Sequence, residues 1–178
     1  MHMSALLPLL RDGRRYAYLP QQGDALMERT RGISASLFLR HTPADVWLSL
    51  DSDVVGFTKD GIDELVEQAV EYDIMVGVYI CKSVSRTFPS STFRDGTTME
   101  FAGDSTPQPI QWGATGCMAI HRRVFEKMAE TMPLLHKTEG KRAFYPFFQT
   151  LIYHDVETVG DPEAGPILLS EDFAFCQR

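Results

Sequence analysis

Asp51 and Asp53 stand one residue apart at the end of a short apolar run, Asp45 to Leu50. Two carboxylates at that spacing reach one cleft if the backbone turns. They then offer hard oxygen ligands for Mg²⁺ or Mn²⁺, ions that fill their remaining positions with water and substrate phosphates. A metal-bound diphosphate is the matching cargo, although the same tripeptide also serves as a solvated turn or a helix N-cap. Glu171 and Asp172 form a second acidic pair. Like-charge repulsion raises the pKa of one member of such a pair and suits it to act as a general base, whereas helix N-termini favour carboxylates for structural reasons alone. Gly113 and Gly116 bracket Ala-Thr and either let a ligand approach the backbone closely or mark a bulged strand. Arg29 and Arg31 either pair with a phosphate or remain solvated.

The other reactive side chains form no pattern. The histidines lack metal-ligand spacing; His121, beside Arg122 and Arg123, and His136, after a leucine pair, read as surface or core residues. Cys117 lies between Gly116 and Met118 in an apolar run and reads as a buried filler. No P-loop, G-x-S-x-G elbow or G-x-G-x-x-G is present.

The acids need elements to position them, and the hydrophobic periods supply these. Residues 24–40 place Leu26, Met27, Ile33, Leu37 and Phe38 on one helical face, with Asp24 in N-cap position and Pro43 beyond the end. Asp45 to Leu50 reads as a buried strand delivering polar residues at its carboxyl end. Thr58 to Tyr72 has Ile62, Leu65, Val66, Ala69 and Val70 at helical spacing, and the β-branched run Asp73 to Ile80 follows as a strand. Strand, helix, strand is the unit of a parallel sheet, whose ligands sit at the carboxyl ends of the strands. Lys82 to Pro109 is rich in Ser, Thr, Pro and Gly and reads as irregular or weakly β, of the kind that forms a lid. Gln111 to Ile120 returns to sheet-like composition, Arg122 to Met132 is an amphipathic helix stopped at Pro133, and Ser170 caps a final helix.

Composition bounds the function. The chain has 178 residues and a formal charge of −7, with 44% hydrophobic and 23% charged residues, which is room for one globular domain over 1–178. Disorder, collagen and coiled coil are excluded, and scattered basic residues on an acidic chain argue against nonspecific nucleic-acid binding. The 3 cysteines, far apart and odd in number, fit a reducing compartment, and no transmembrane segment or signal peptide is legible, so a cytoplasmic location is expected. The aromatic stretch 144–153 suits self-association, a homo-oligomer covering exposed sheet edges.

Taken in order, four segments resemble the GT-A-fold nucleotide-sugar glycosyltransferases, particularly the family-2-like group. They are RTRGISASLFL at 29–39, VWLSLDSDV at 46–54, GATGCMAIHRRVFEKM at 113–128 and SEDFAFCQR at 170–178. The resemblance covers residues 24–178 and implies an α/β, GT-A-like, Rossmann-related fold: a mixed, mainly parallel sheet flanked by helices. It implies that Asp51 and Asp53 hold Mn²⁺ or Mg²⁺ on a nucleoside-diphosphate sugar donor. Arg29, Arg31, Asp51, Gly113 and Gly116 would line the donor site. Asp172 would deprotonate a hydroxyl acceptor with Glu171 in support, and the sugar would be transferred with inversion. Two departures accompany the resemblance: a shortened opening over 4–23, and an end at Arg178 where relatives continue with a strand that often bears a metal-binding histidine. The resemblance thus implies either a truncated or minimal form of the fold, or one in which His154 or a partner chain supplies the third ligand.

Two rival readings remain. Leu48 to Val55 also resembles the nucleophile strand of haloacid-dehalogenase-type phosphatases, with Asp51 attacking phosphorus and Asp53 as acid/base. Alternatively, the chain is a non-catalytic module that binds a nucleotide sugar or a protein.

Overall fold

The computed structural model describes residues 16–18, 26–80, 90–92, 106–136, 143–154 and 165–178. These form a mixed α/β fold of four helices and three small antiparallel sheets. Helix α1 (Met27–His41) leads into β1 (Val46–Leu50), α2 (Lys59–Tyr72) and β2 (Ile74–Val76). Strand β3 (Cys117–His121) runs directly into α3 (Arg122–Ala129). Two ribbons follow, β4 (Leu135–His136) with β5 (Ala143–Phe144) and β6 (Leu151–Tyr153) with β7 (Ile167–Leu169), before the last helix, α4 (Glu171–Gln177).

The central sheet has the order β1-β3-β2. Leu50 lies opposite Cys117, Val46 opposite His121, Ile74 opposite Ile120 and Val76 opposite Met118. Both outer strands are antiparallel to β3 and therefore run in the same direction as each other. The strand-helix-strand unit read from the sequence is present, with β3 inserted between its two strands. Every ladder among the described residues is antiparallel.

Period-two alternation gives the sheet two covered faces. Met118 and Ile120 join Ala35, Phe38, Trp47, Phe125, Phe147, Phe148 and Phe175 in an aromatic core. Cys117 and Ala119 face the other way, onto Ile62, Leu65 and Ala69 of α2. The aromatic side is built from offset and edge contacts: Phe148 stacks on Phe175 at 4.6 Å and Trp47 meets Phe125 edge-on at 5.8 Å. Each such pair adds about 0.5–1.5 kcal/mol beyond area burial.

Two consecutive arginines lock the helices to this sheet. An α-helix leaves its last carbonyls without intrahelical donors. Arg122 reaches those of α1, donating to Leu39 O at 2.8 Å, Phe38 O at 3.3 Å and Thr42 O at 2.5 Å, and to Ala44 O at 2.9 Å just beyond. Its guanidinium also lies 4.7 Å from the Phe38 ring centroid. Arg123 does the same for α2, donating to Val70 O at 2.9 Å and Glu71 O at 3.3 Å and pairing with Asp73. Asp73, the C-cap of α2, has a positive φ of 71°, and Arg123 pairs with it from outside the helix. His121 caps α3, its Nδ1 accepting from Arg123 N at 3.2 Å.

Element boundaries differ from the sequence expectations at the ends. Helix α1 begins at Met27 with Leu26 in the cap position and no side-chain cap bond; the expected cap, Asp24, lies outside the described residues. Thr58 caps α2 as a Thr should, accepting from Gly61 N at 3.1 Å. The strand read over 73–80 ends as a ladder at Val76. Helix α3 stops at Ala129, before Pro133. Of the lid-like stretch 82–109, residues 82–89 and 93–105 lie outside the described residues, and so do most of 4–23.

Candidate functional site

Strand β1 ends at Leu50 and the chain reverses over Asp51–Val54, where Val54 N–H donates to Asp51 O at 3.3 Å. Asp51 is fixed from its backbone as well, its N–H donating to Gly116 O at 2.9 Å across the start of β3. Its carboxylate lies against Arg31, whose Nη2 donates to Oδ2 at 3.1 Å and to Oδ1 at 3.3 Å. The same guanidinium donates through Nη1 to Glu171 Oε1 at 2.5 Å. One arginine of α1 therefore joins the end of β1 to the start of α4, residues 140 apart in sequence in the second contact.

Burial makes this junction tight. Arg31 is 7% exposed, while the side chains of Asp51 and Glu171 keep 33% and 22%. Arg prefers such sites because its planar fork serves two carboxylates at once. Arg31, a candidate phosphate contact from the sequence, donates to both acids. Arg29, half-buried on the same helix, and Asp53, exposed in the turn, each take part in an interaction of their own.

Asp172 stands next to Glu171 and is held locally. Its Oδ1 accepts from the Ser170 hydroxyl and from Phe173 N at 3.0 Å. Ser170 occupies the N-cap position as expected, but its hydroxyl donates to Asp172 and makes no cap bond. Helix α4 is tied to the glycine segment through Cys176, whose Sγ accepts from Gly113 N at 3.4 Å, and through Gln177, whose Oε1 accepts from Trp112 Nε1 at 3.1 Å. Trp112 stacks on Phe173 at 5.5 Å and meets Tyr153 edge-on at 5.9 Å.

The two glycines are close-approach positions. A Cβ on Gly113 would lie 2.5 Å from Val76 Cγ2, and one on Gly116 would lie 2.1 Å from the Tyr79 hydroxyl. Gly113–Gly116 thus spans from α4 to Asp51, and its backbone contacts both ends.

Of the two thiols described, Cys117 is buried and Cys176 is half-buried. Burial pushes Cys117 up to about 11, against a smaller lowering by its hydrogen bond with the Gly77 backbone. Cys176 is likewise raised, first by burial and further by the nearby Asp172 carboxylate. Cys117 is the buried filler that its neighbours in sequence suggest.

Among the described residues no group of three His, Cys, Asp or Glu side chains lies close enough to hold a metal ion by itself. No helix among them is long and apolar enough to cross a membrane. The residues that sequence reasoning passed over are Trp112, which anchors α4, and Thr115, whose buried hydroxyl has no partner. Nothing in a Gln-Trp-Gly-Ala-Thr-Gly string marks either one. Compared with known proteins, the chain matches no family model, no curated protein and no solved structure.

Proposed function

We propose that the chain is a GT-A-like glycosyltransferase domain that moves a sugar from a nucleoside-diphosphate donor to an acceptor hydroxyl, with inversion. What supports this reading above all is the Arg31 junction, which brings the aspartate at the end of β1 and the acidic start of α4 to one guanidinium. Had the two acidic motifs lain on separate faces, no shared site would exist.

Asp51 and Asp53 suit a Mg²⁺-type or Mn²⁺-type ion. Asp51 keeps a third of its side chain exposed beside Arg31, and two carboxylates completed by water and phosphate oxygens are an ordinary donor set for such ions. When bound, the ion would supply Lewis-acid stabilisation of the leaving diphosphate. The chain's own part is distinct. Arg31 fixes the Asp51 carboxylate and sets the distance of α4 from it. Asp172 takes the proton of the acceptor hydroxyl, with Oδ1 held by Ser170 and Phe173 N and Oδ2 as the basic atom. Glu171 keeps the helix start in place through Arg31. Gly113 and Gly116 let Val76 and Tyr79 pack closely against the backbone that runs between the two acids.

A binding module without turnover is the second reading, favoured by one observation: both Asp172 Oδ1 contacts are those of an ordinary helix start. The experiment that separates them measures nucleoside-diphosphate release from UDP- and GDP-sugars with Mn²⁺, for wild type, Asp53→Asn and Asp172→Asn. Release that falls in both variants supports transfer. Nucleotide binding with no release supports the module, and turnover of p-nitrophenyl phosphate with Mg²⁺ in place of either supports a phosphatase.

A further inference from the structure

Asp51 is one of the two acids read as ligands for a divalent ion, yet its carboxylate already carries a cation. Both of its oxygens accept from Arg31 Nη2, at 3.1 and 3.3 Å, while Arg31 Nη1 donates to Glu171 Oε1 at 2.5 Å. The guanidinium is almost wholly buried, and arginine does not lose its proton in proteins. The two arms of this fork are unequal. Charge-assisted bonds of the kind run to about 2.7–2.9 Å, so the Asp51 arm is long and the Glu171 arm short. Asp51 is also the more exposed of the two acids. The arm that gives way first is therefore the one on Asp51, and Arg31 then keeps Glu171 as its counter-ion, so that no buried charge is stranded.

This arrangement acts on any ion that approaches Asp51. A divalent cation meets a fixed positive charge at hydrogen-bond distance from the same carboxylate, in surroundings that weaken the repulsion less than bulk water does. Ions of the Mg²⁺ type also give up their water reluctantly. A diphosphate changes the balance, because it brings oxygen ligands and negative charge together with the ion. We propose that Arg31 is a built-in counter-cation that shuts Asp51 to a bare divalent ion and opens it to an ion carried on a diphosphate. The proposal rests on the transferase reading and adds a control to that site: the Arg31–Asp51 contact is autoinhibitory and keeps the acids from filling with ion before the donor arrives.

Electron paramagnetic resonance of free Mn²⁺ tests this on the full chain. Wild type, Arg31→Met, Arg31→Gln and Arg31→Lys are titrated with the ion alone and with the ion plus UDP, each corrected by a protein-free titration. Bare Mn²⁺ is expected to bind about tenfold more tightly to Arg31→Met and Arg31→Gln than to wild type, because one fixed positive charge is gone. Arg31→Lys keeps the charge and is expected to stay near wild type. Arg40→Met, which removes a positive charge from the last turn of the same helix, is expected to change nothing. Bare-ion binding that is equal or weaker in both neutral variants overturns the proposal. So does a wild type that binds Mn²⁺ as tightly without UDP as with it, a result that needs no variant to fold. In either case Mn²⁺ binding in the presence of UDP leaves the transferase reading standing. If wild type and the Arg31 variants bind Mn²⁺ no better than Asp51→Asn/Asp53→Asn does, with or without UDP, both are overturned.

Discussion

Replacing Arg31 by Met keeps the length of the apolar stem and removes the guanidinium from between two carboxylates. Breaking a fully buried ion pair by removing one partner costs about 3–5 kcal/mol, while exposed pairs are worth about 0–1 kcal/mol. Arg31 is 7% exposed, but its partners keep 33% and 22% of their side chains in solvent. Water therefore takes up part of the loss, and Arg31→Met is expected to cost about 3 kcal/mol. In urea titration with a slope near 2 kcal/mol/M, the midpoint falls by about 1.5 M with the slope unchanged. Arg31→Lys retains charge but not the fork, so it is expected to fall between the two. The triple variant Arg31→Met/Asp51→Asn/Glu171→Gln removes the stranded charges and recovers about 1–2 kcal/mol relative to Arg31→Met. If Arg31→Met stays within about 0.5 kcal/mol of wild type, as a surface substitution would, the junction does not hold α4 to β1 and the reasoning fails.

Arg122→Ala strands the carbonyls at the end of α1 and is expected to cost about 2–4 kcal/mol, with Arg122→Lys recovering less than half, both by chemical denaturation. Gly116→Ala drives a methyl into the Tyr79 hydroxyl and is expected to cost about 1–3 kcal/mol. Combined with Tyr79→Leu, its cost is less than the sum of the singles, which a double-mutant cycle measures. Cys117 gives an alkaline signature. Its folded pKa is raised to about 11 from an ordinary 9.0, so its stabilising contribution is complete below pH 9 and is lost as pH rises toward 11. The stability difference between wild type and Cys117→Ala is expected to shrink by roughly 1.4 kcal/mol per pH unit in that window and to stay flat below it.

The elements near the acids were legible because their signals are local. Thr58 followed by a helical apolar stripe, the five apolar-rich residues before Asp51, and Ser170 before two acids each depend only on neighbours, and α2, β1 and α4 stand where those patterns put them. The insertion of β3 between β1 and β2 was not legible, because pairing partners as far apart in sequence as Leu50 and Cys117, or Val46 and His121, leave no periodic trace. The tandem Arg122-Arg123 pair illustrates the same limit. Two arginines at a helix start carry no local sign of a partner, yet each serves the far end of a different helix. Arg31 was singled out, but its partners could not be read: a phosphate, water and a carboxylate are equivalent to a guanidinium until tertiary structure decides among them.

Mn²⁺ relaxation enhancement measured by NMR tests the central claim most directly, because the ion's unpaired electrons broaden amides according to their distance from it. With Mn²⁺ and UDP present, broadening is expected at the amides of Ser52–Val54 and, together with them, of Glu171–Phe173, and both sets are expected to recover in Asp51→Asn/Asp53→Asn. Broadening at the β1 turn that leaves the start of α4 sharp would contradict the account.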